Sequence, residues 1–204
     1  MKKIVTGIFG GSFNPIHNGH IAIANAVCQS GLIQELWLMV SPQNPLKENK
    51  NLLDDAFRLN LAKIATRDYS QISVSDFEYH LPRPSYTFNT LQELTKVYPD
   101  REFVIIIGAD NWENFSKWYK SESLLCLYRF IIYPRKGHSV DIKSLPDNIY
   151  YLDMPLYDIS STEIRRKLSN NESITGLVTN EVEKKLKSFL SKQLHMLKCP
   201  PCDQ

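Results

Sequence analysis

The chain has 204 residues, of which 43% are hydrophobic and 23% charged, and its formal net charge is +2. This length fits one domain, and the composition is that of a globular protein rather than a disordered or fibrous one. Because 24 basic residues are balanced by 22 acidic ones, neither nucleic acid nor a membrane surface is expected as a partner. The longest apolar runs, LWLMV and FVIII, are far below the roughly 20 residues of a membrane span. A cytoplasmic location is expected.

Short apolar segments alternate with helical patterns along the chain, an arrangement typical of βαβ units and a parallel sheet. Strands are predicted over residues 4–9, 36–40, 71–77, 102–107, 129–133 and 149–152. Helices are predicted over residues 19–31, 54–68, 87–98, 121–128, 160–170 and 180–193. We therefore expect an α/β fold, a Rossmann-like doubly wound parallel sheet in a single domain with C-terminal helices.

Residues 1–194 are expected to form this domain, and residues 195–204 a disordered tail that contains Cys199 and Cys202. The C-x-x-C spacing of the tail leaves open a zinc site or a redox pair. A zinc site needs two more ligands, and a redox pair normally lies at a helix start beside a strand, so an inert tail is favoured. Cys28 and Cys126 follow apolar residues and are expected to be small buried hydrophobic residues.

The stretch GGSFNPIHNGH, residues 10–20, follows the first predicted strand. In doubly wound sheets this first loop is the usual phosphate site. Gly10 and Gly11 have no side chains, so their backbone N–H groups can approach an anion closely and their backbone can adopt positive φ. His17 and His20 bracket the helix start, so both imidazoles are expected to converge on one phosphate. The alternatives are a helix cap with a packed ring, or a metal pair, for which no third ligand is spaced nearby.

The loop has neither the Walker spacing nor the G-x-G-x-x-G spacing. It resembles instead the G-x-F-D-P-x-H-x-G-H signature of the nucleotidyltransferases related to class I tRNA synthetases, with Asn14 where many members have Asp. A second segment, DISSTEIRRKL at residues 158–168, resembles their I-S-S-T-x-I-R motif. The resemblance implies catalytic roles for His17 and His20. It also implies ATP contacts from the residues between strand and helix, which are Gly10, Gly11, Ser12 and Phe13.

The second segment has a structural interpretation beside the functional one. Ser160 and Glu163 have the spacing of a capping box at a helix start. Ser161 and Arg165 are four residues apart and therefore lie on one side of the same helix. A hydroxyl, helix N-terminal N–H groups and a guanidinium at one point would suit the β- and γ-phosphates of ATP. The resemblance implies that Ser161, Thr162 and a catalytic Arg165 bind these phosphates.

Three further stretches resemble bacterial nicotinate-nucleotide adenylyltransferases: residues 82–91 with S-Y-T, residues 106–119 with I-I-G-x-D and W-Y, and residues 41–47, where a loop ends in a basic residue. A pyridine with a carboxylate needs an aromatic face and hydrogen-bond donors. The resemblance implies binding of the acceptor, nicotinate mononucleotide, by Asn44, Tyr86, Thr87 and Trp118. It implies ATP contacts from Gly108, Asp110 and a catalytic Lys47. The alternatives are a core Trp118, a capping Asp110 and a solvated Lys47.

The reaction implied is transfer of the adenylyl group of ATP to nicotinate mononucleotide, a step of NAD biosynthesis, with pyrophosphate as the leaving group. The attacking phosphate is already an anion, so no general base is required. Mg²⁺ is expected to bridge the phosphates without a dedicated protein metal site. Phosphopantetheine adenylyltransferase and a non-catalytic nucleotide sensor are the alternative functions. The preference for nicotinate over nicotinamide mononucleotide, and the choice between a monomer and a homo-oligomer, stay open.

Overall fold

A computed structural model describes residues 2–42 and 53–198, with side chains through Ser191. The predicted site residues Asn44 and Lys47, and the tail cysteines Cys199 and Cys202, lie outside the described residues. Six parallel strands form one sheet in the order β3-β2-β1-β4-β5-β6. They are β1 Ile4–Gly11, β2 Glu35–Val40, β3 Ile72–Ser75, β4 Arg101–Gly108, β5 Arg129–Tyr133 and β6 Ile149–Tyr151. The prediction of a doubly wound parallel sheet is confirmed, with its strand order reversing between β1 and β4.

Helices connect the strands. They are α1 Asn18–Gln29, α2 Asp55–Thr66, α3 Thr87–Val97, α4 Ala109–Glu113, α5 Ser121–Leu127, α6 Ser161–Ser169 and α7 Asn180–Lys198. Single 3₁₀ turns occur at Phe77–His80, Phe115–Lys117 and Ile142–Ser144. Helix α7 runs past the predicted domain boundary at residue 194, and the division into a domain and a tail stays a prediction. Within the described ranges, every helix is too short or too polar to span a bilayer.

The two faces of the sheet are each buried under a layer of helices. Along β4, Val104 and Ile106 pack into one apolar cluster, whereas Phe103, Ile105 and Ile107 pack into the other. This alternation follows from the two-residue period of a strand. Helices α1, α2, α6 and α7 cover the first face, and α3 and α5 cover the second. A strand that is buried on both faces is apolar throughout, as the sequence predicts for β4.

Packing around the central strands leaves little space at certain positions. A Cβ atom on Gly7 would lie 2.8 Å from the Cδ1 atoms of both Ile33 and Ile106, so a larger residue there would require these two side chains to shift. Cys28 is buried as predicted, but the prediction for Cys126 is wrong because that residue is exposed. Helix α5 turns Leu124 into the core. Cys126 lies two residues further along the helix, so its side chain points away from the core.

Candidate active site

A cavity of about 430 Å³ opens at the carboxyl ends of β1 and β4, where the strand order reverses. Ligands of open α/β sheets bind in this crevice. Every predicted site residue that the structure describes lines the cavity: Gly10, Gly11, Ser12, Phe13, His17, His20, Tyr86, Thr87, Gly108, Asp110, Trp118, Ser161, Thr162 and Arg165. Four separate stretches of the chain are thus brought together at one site.

The backbone of the β1–α1 loop differs from the prediction at its start. The first strand was predicted to end at Phe9, but Gly10 and Gly11 also belong to β1, and Gly11 stays in register with Val40 of β2. Neither glycine uses the positive φ open to it. Phe13 has the positive φ instead, at 42°. A Cβ atom on Gly11 would lie 3.0 Å from the Phe13 ring. The glycine therefore makes room for a buried aromatic ring below the loop.

His17 and His20 cap the start of α1 reciprocally. The Nδ1 atom of His17 accepts the backbone N–H of His20, and the Nδ1 atom of His20 accepts that of His17, each at 3.3 Å. The two rings stack with their centroids 3.6 Å apart. This is the geometry of a capping box, here built from two imidazoles. The sequence left helix capping and a role in the site as alternatives for these histidines. In the structure the same two side chains cap the helix and also line the cavity.

These hydrogen bonds set the protonation of the rings. An Nδ1 atom that accepts a hydrogen bond carries no proton, so each neutral ring is the tautomer with its proton on Nε2. His17 is buried, and burial together with the Arg135 charge lowers its pKa to about 4. His17 is therefore a neutral donor at physiological pH.

The loop after β1 is joined directly to the start of α6. Ser161 Oγ donates a hydrogen bond of 2.9 Å to the carbonyl oxygen of Pro15. Arg165 Nη1 donates one of 2.7 Å to the carbonyl oxygen of Asn14. Ile164, which lies between them, is fully buried and holds the helix against the sheet. The two segments that were recognised separately in the sequence therefore form one structural unit.

Only one of the two hydrogen bonds of the predicted capping box at α6 is formed. Ser160 is the N-cap, and its Oγ accepts the backbone N–H of Glu163 at 3.1 Å. The carboxylate of Glu163 instead accepts two hydrogen bonds of 2.8 Å from Arg166. This pairing lowers the pKa of Glu163. It also leaves Arg166 on the solvent side of the helix, as predicted, while Arg165 lines the cavity.

An aromatic wall stands on the α3 side of the cavity. Trp118 is half-buried there, its ring centroid 5.4 Å from that of Phe115, so it is a wall residue rather than part of a sealed core. Tyr86, the N-cap residue of α3, is exposed and lies 5.0 Å from the ring of Tyr119. Thr87 begins the helix. Aromatic faces and a helix N-terminus are therefore adjacent.

Asp110 follows β4 closely and lines the cavity. It does not cap α4, because the N-cap residue of that helix is Gly108. Its Oδ1 atom is buried without a hydrogen-bond partner among the described residues and lies 3.4 Å from Nε of Arg135. A Cβ atom on Gly108 would lie 2.4 Å from Oδ1 of Asp110, which explains a glycine at this point.

Sequence reasoning missed three charged residues of the cavity, Arg135, Glu78 and Lys117. Arg135 follows β5 as Asp110 follows β4, so its place at a strand's carboxyl end was a usable signal. Glu78 lies on a 3₁₀ turn, buried, and accepts hydrogen bonds from Thr90 at 2.9 Å and Ser85 at 3.4 Å. Burial raises its pKa. No local pattern in the sequence marks a buried carboxyl of this kind.

Fold and site together define a nucleotidyltransferase-type protein, and the cytidylyltransferase-like family matches residues 8–167. The chain is 47% identical over 186 residues to a Bacteroides fragilis protein named "Probable nicotinate-nucleotide adenylyltransferase", covering 91% of this chain and 92% of that one. A Bacteroides thetaiotaomicron protein of the same name is 43% identical over 193 residues, with coverage of 95% and 96%. The chain belongs to the nicotinate-nucleotide adenylyltransferase family.

Solved structures agree with this fold. Plasmodium falciparum nicotinic acid mononucleotide adenylyltransferase complexed with NaAD superimposes with a TM-score of 0.79 at 23% identity, covering 91% of this chain and 96% of that one. The same enzyme complexed with APC gives a TM-score of 0.77 at 22% identity, with coverage of 92% and 96%.

The His17 environment predicts a pH dependence of stability. The folded-state pKa of about 4 for His17 lies below the ordinary value of 6.5. Between these two pH values His17 is therefore protonated in the unfolded chain but not in the folded protein. The free energy of unfolding should therefore be highest above pH 6.5 and fall as the pH drops toward 4, by up to about 3 kcal/mol from this group. Urea unfolding across this range measures the effect.

The matched variant is His17→Asn, since asparagine is a favoured N-cap residue that does not titrate. Its stability should fall less steeply with acidification than that of the wild type. Identical slopes for the two proteins would show that His17 is not held neutral by the fold.

Proposed function

We propose that the cavity catalyses transfer of the adenylyl group from ATP to nicotinate mononucleotide, releasing pyrophosphate. The observation that carries this proposal is the meeting of two phosphate-binding elements, the His17–His20 loop and the α6 N-terminus, beside the wall that contains Trp118. A polyphosphate site and a flat aromatic site in one cavity suit a reaction that joins two nucleotides. Membership of the family supports the same assignment.

The phosphate end of the site contains the imidazoles of His17 and His20 and the guanidinium of Arg165. We assign His17 and His20 to the α- and β-phosphate oxygens, to which their Nε2–H groups can donate. Thr162, Arg165 and the backbone N–H groups of the first turn of α6, that of Ser161 included, are assigned to the β- and γ-phosphates. The Ser161 hydroxyl already donates to the carbonyl oxygen of Pro15. Lys47 keeps its sequence-based assignment to the leaving pyrophosphate. Gly10, Gly11, Ser12 and Phe13 form the floor under the nucleotide.

The acceptor end suits a pyridine carboxylate. Trp118 offers an aromatic face, and Tyr86 and Thr87 offer hydroxyl donors. Among the described residues no side chain caps the N-terminus of α3. Its first-turn N–H groups and the positive end of its dipole therefore favour an anion, which is a reason to prefer nicotinate over nicotinamide mononucleotide. Asn44 keeps its sequence-based assignment to the same acceptor.

Asp110 and Arg135 lie between the two ends. We assign Oδ1 of Asp110, which is ion-paired with Arg135 but accepts no hydrogen bond from the described residues, to a ribose hydroxyl of ATP, since a hydroxyl can supply a donor. Gly108 gives the sugar access to that carboxylate. Arg135, which lies 3.4 Å from Asp110, adds positive charge at the point where the reacting phosphates would meet.

The described residues suit a divalent cation that binds together with ATP rather than one that the protein holds alone. Among the side chains of residues 2–42 and 53–191, no cluster of three or more histidine, cysteine or acidic groups is arranged to hold a metal ion. The donor set therefore suits Mg²⁺ that arrives bound to the phosphates of ATP and completes its shell with water, with Asp110 as a carboxylate within the cavity. When bound, the ion would neutralise phosphate charge and stabilise the leaving pyrophosphate.

The protein's part in the reaction is positioning and charge stabilisation. The 5′-phosphate of the acceptor attacks the α-phosphorus of ATP in line, the bond to the β-phosphate oxygen breaks, and pyrophosphate leaves. The nucleophile is an anion at neutral pH, so no side chain has to remove a proton. Imidazole N–H donors already in place for the developing charge can lower the barrier by several kcal/mol. We extend the proposal to a cytoplasmic location, and leave the assembly as a monomer or homo-oligomer to be measured.

The direct test is pyrophosphate release from ATP with three acceptors in turn: nicotinate mononucleotide, nicotinamide mononucleotide and phosphopantetheine. The carboxylated pyridine nucleotide should give the highest kcat/KM because its anion can bind the α3 N-terminus. A higher value with phosphopantetheine would reassign the enzyme. Nucleotide binding with no turnover on any acceptor would make the protein a sensor.

The proposed role of His20 predicts a kinetic signature. His20→Ala should lower kcat on the order of 10²-fold with a smaller change in the affinity for ATP, because the lost donor acts mainly on charge that develops in the transition state. Steady-state kinetics and direct ATP titration measure the two effects. His80→Ala is the matched control, since that histidine is exposed and outside the cavity lining. Weaker ATP binding with unchanged kcat would contradict the assignment.

A further inference from the structure

Arg58 of α2 is fully buried and uses all five of its N–H donors. Its Nε donates to the carbonyl oxygen of Leu53 at 3.0 Å. Its Nη1 donates to the carbonyl oxygens of Ser12 and of Ser41, the latter at 2.8 Å. Its Nη2 donates to the carbonyl oxygen of Pro42 at 3.2 Å and to Asp55 Oδ1 at 2.6 Å.

The carbonyl partners of Arg58 belong to the loops that form the site. Ser12 lies in the β1–α1 loop, Ser41 and Pro42 follow β2, and Leu53 precedes α2. A guanidinium carries five donors in a rigid fork, which lysine cannot reproduce. One side chain therefore fixes three pieces of backbone relative to one another at the carboxyl edge of the sheet.

The hydrogen bonds of Arg58 connect to those of Arg165 through the same loop. The backbone N–H of Leu53 donates at 3.0 Å to Oδ1 of Asn14. The carbonyl oxygen of that same Asn14 accepts Arg165 Nη1 at 2.7 Å. The loop is thus held from the α2 side by Arg58 and Leu53, and from the α6 side by Arg165.

The same network extends toward the acceptor end. Asp55 accepts Arg58 on Oδ1 and Arg83 on Oδ2, the latter at 3.0 Å. Arg83 lies three residues before Tyr86 along the chain. The carboxylate therefore links the phosphate loop to the segment that carries the aromatic wall.

We propose that Arg58 is a positioning residue of the adenylyl transfer, one that sets the β1–α1 loop and so aligns His17 and His20 with the reacting phosphates. Arg58 contributes no contact to the substrate itself, since its donors are all directed to protein groups. The inference rests on the proposed function. Misplacement of donors by about 1 Å can cost as much as 10²-fold in rate, so the effect should fall mainly on kcat.

The experiment compares Arg58→Ala, Arg58→Lys and the control Lys63→Ala, which removes an exposed cation from the same helix. Folding of each variant is checked by circular dichroism and thermal unfolding. Arg58→Ala should lose at least about 10-fold in kcat with a smaller change in both KM values, and Arg58→Lys should lose less. Lys63→Ala should match the wild type. If Arg58→Ala does not fold, Arg58→Lys carries the test.

Two further readouts separate positioning from general stability. Millimolar guanidinium chloride should restore part of the kcat of Arg58→Ala, whereas methylammonium should not, because only the planar ion can refill the five-donor site. Amide hydrogen exchange across residues 12–14 should accelerate in Arg58→Lys and stay at the wild-type rate in Lys63→Ala. This exchange measurement needs no turnover, so it tests the positioning role even if no acceptor supports catalysis.

The proposal is overturned by a folded Arg58→Lys variant that keeps both wild-type kcat and wild-type exchange across residues 12–14. It is also overturned if guanidinium restores the thermal stability of Arg58→Ala but not its kcat. Absence of pyrophosphate release by the wild type, with accelerated exchange in Arg58→Lys, would instead reject the proposed reaction while keeping Arg58 as the residue that holds the loop.

Discussion

The carbonyl oxygens of Asn14 and Pro15 are the point on which the site depends, because each accepts a hydrogen bond from a helix 146 to 151 residues further along the chain. Without Ser161 and Arg165 on these carbonyls, α6 and the β1–α1 loop would be separate elements at the same edge of the sheet. With them, the helix N-terminus and the two imidazoles line one cavity. The buried Ile164 makes the join rigid by anchoring the helix to the sheet.

The chemistry of the site follows from where its hydrogen-bond acceptors lie. Because the Nδ1 atoms of His17 and His20 accept backbone N–H groups, the helix start itself determines the tautomer of both rings. His17 remains neutral through its burial and the nearby Arg135. His17 is then a neutral donor, and the guanidinium groups of Arg135 and Arg165 supply positive charge at the proposed phosphate site.

Much of the fold was predictable, because buried parallel strands are continuous apolar runs and residues 103–107 of β4 form one. The meeting of the two motifs in one cavity was also predictable, since motifs at the carboxyl ends of strands lie at the same edge of a parallel sheet. The extension of β1 through Gly10 and Gly11 was not predictable, because the length of the β1–β2 ladder is decided by tertiary pairing. Arg58 left no local signal either. Its partners are main-chain carbonyls of distant loops, which any residue type supplies.

A crystal structure with a non-hydrolysable ATP analogue is the most direct test of the central claim that both segments hold one polyphosphate chain. The triphosphate should lie within hydrogen-bond distance of an Nε2 atom of His17 or His20 and of the first-turn N–H groups of α6, with Trp118 facing open space for a second nucleotide. A triphosphate bound away from both imidazoles would contradict it, and so would one that contacts the loop but not α6.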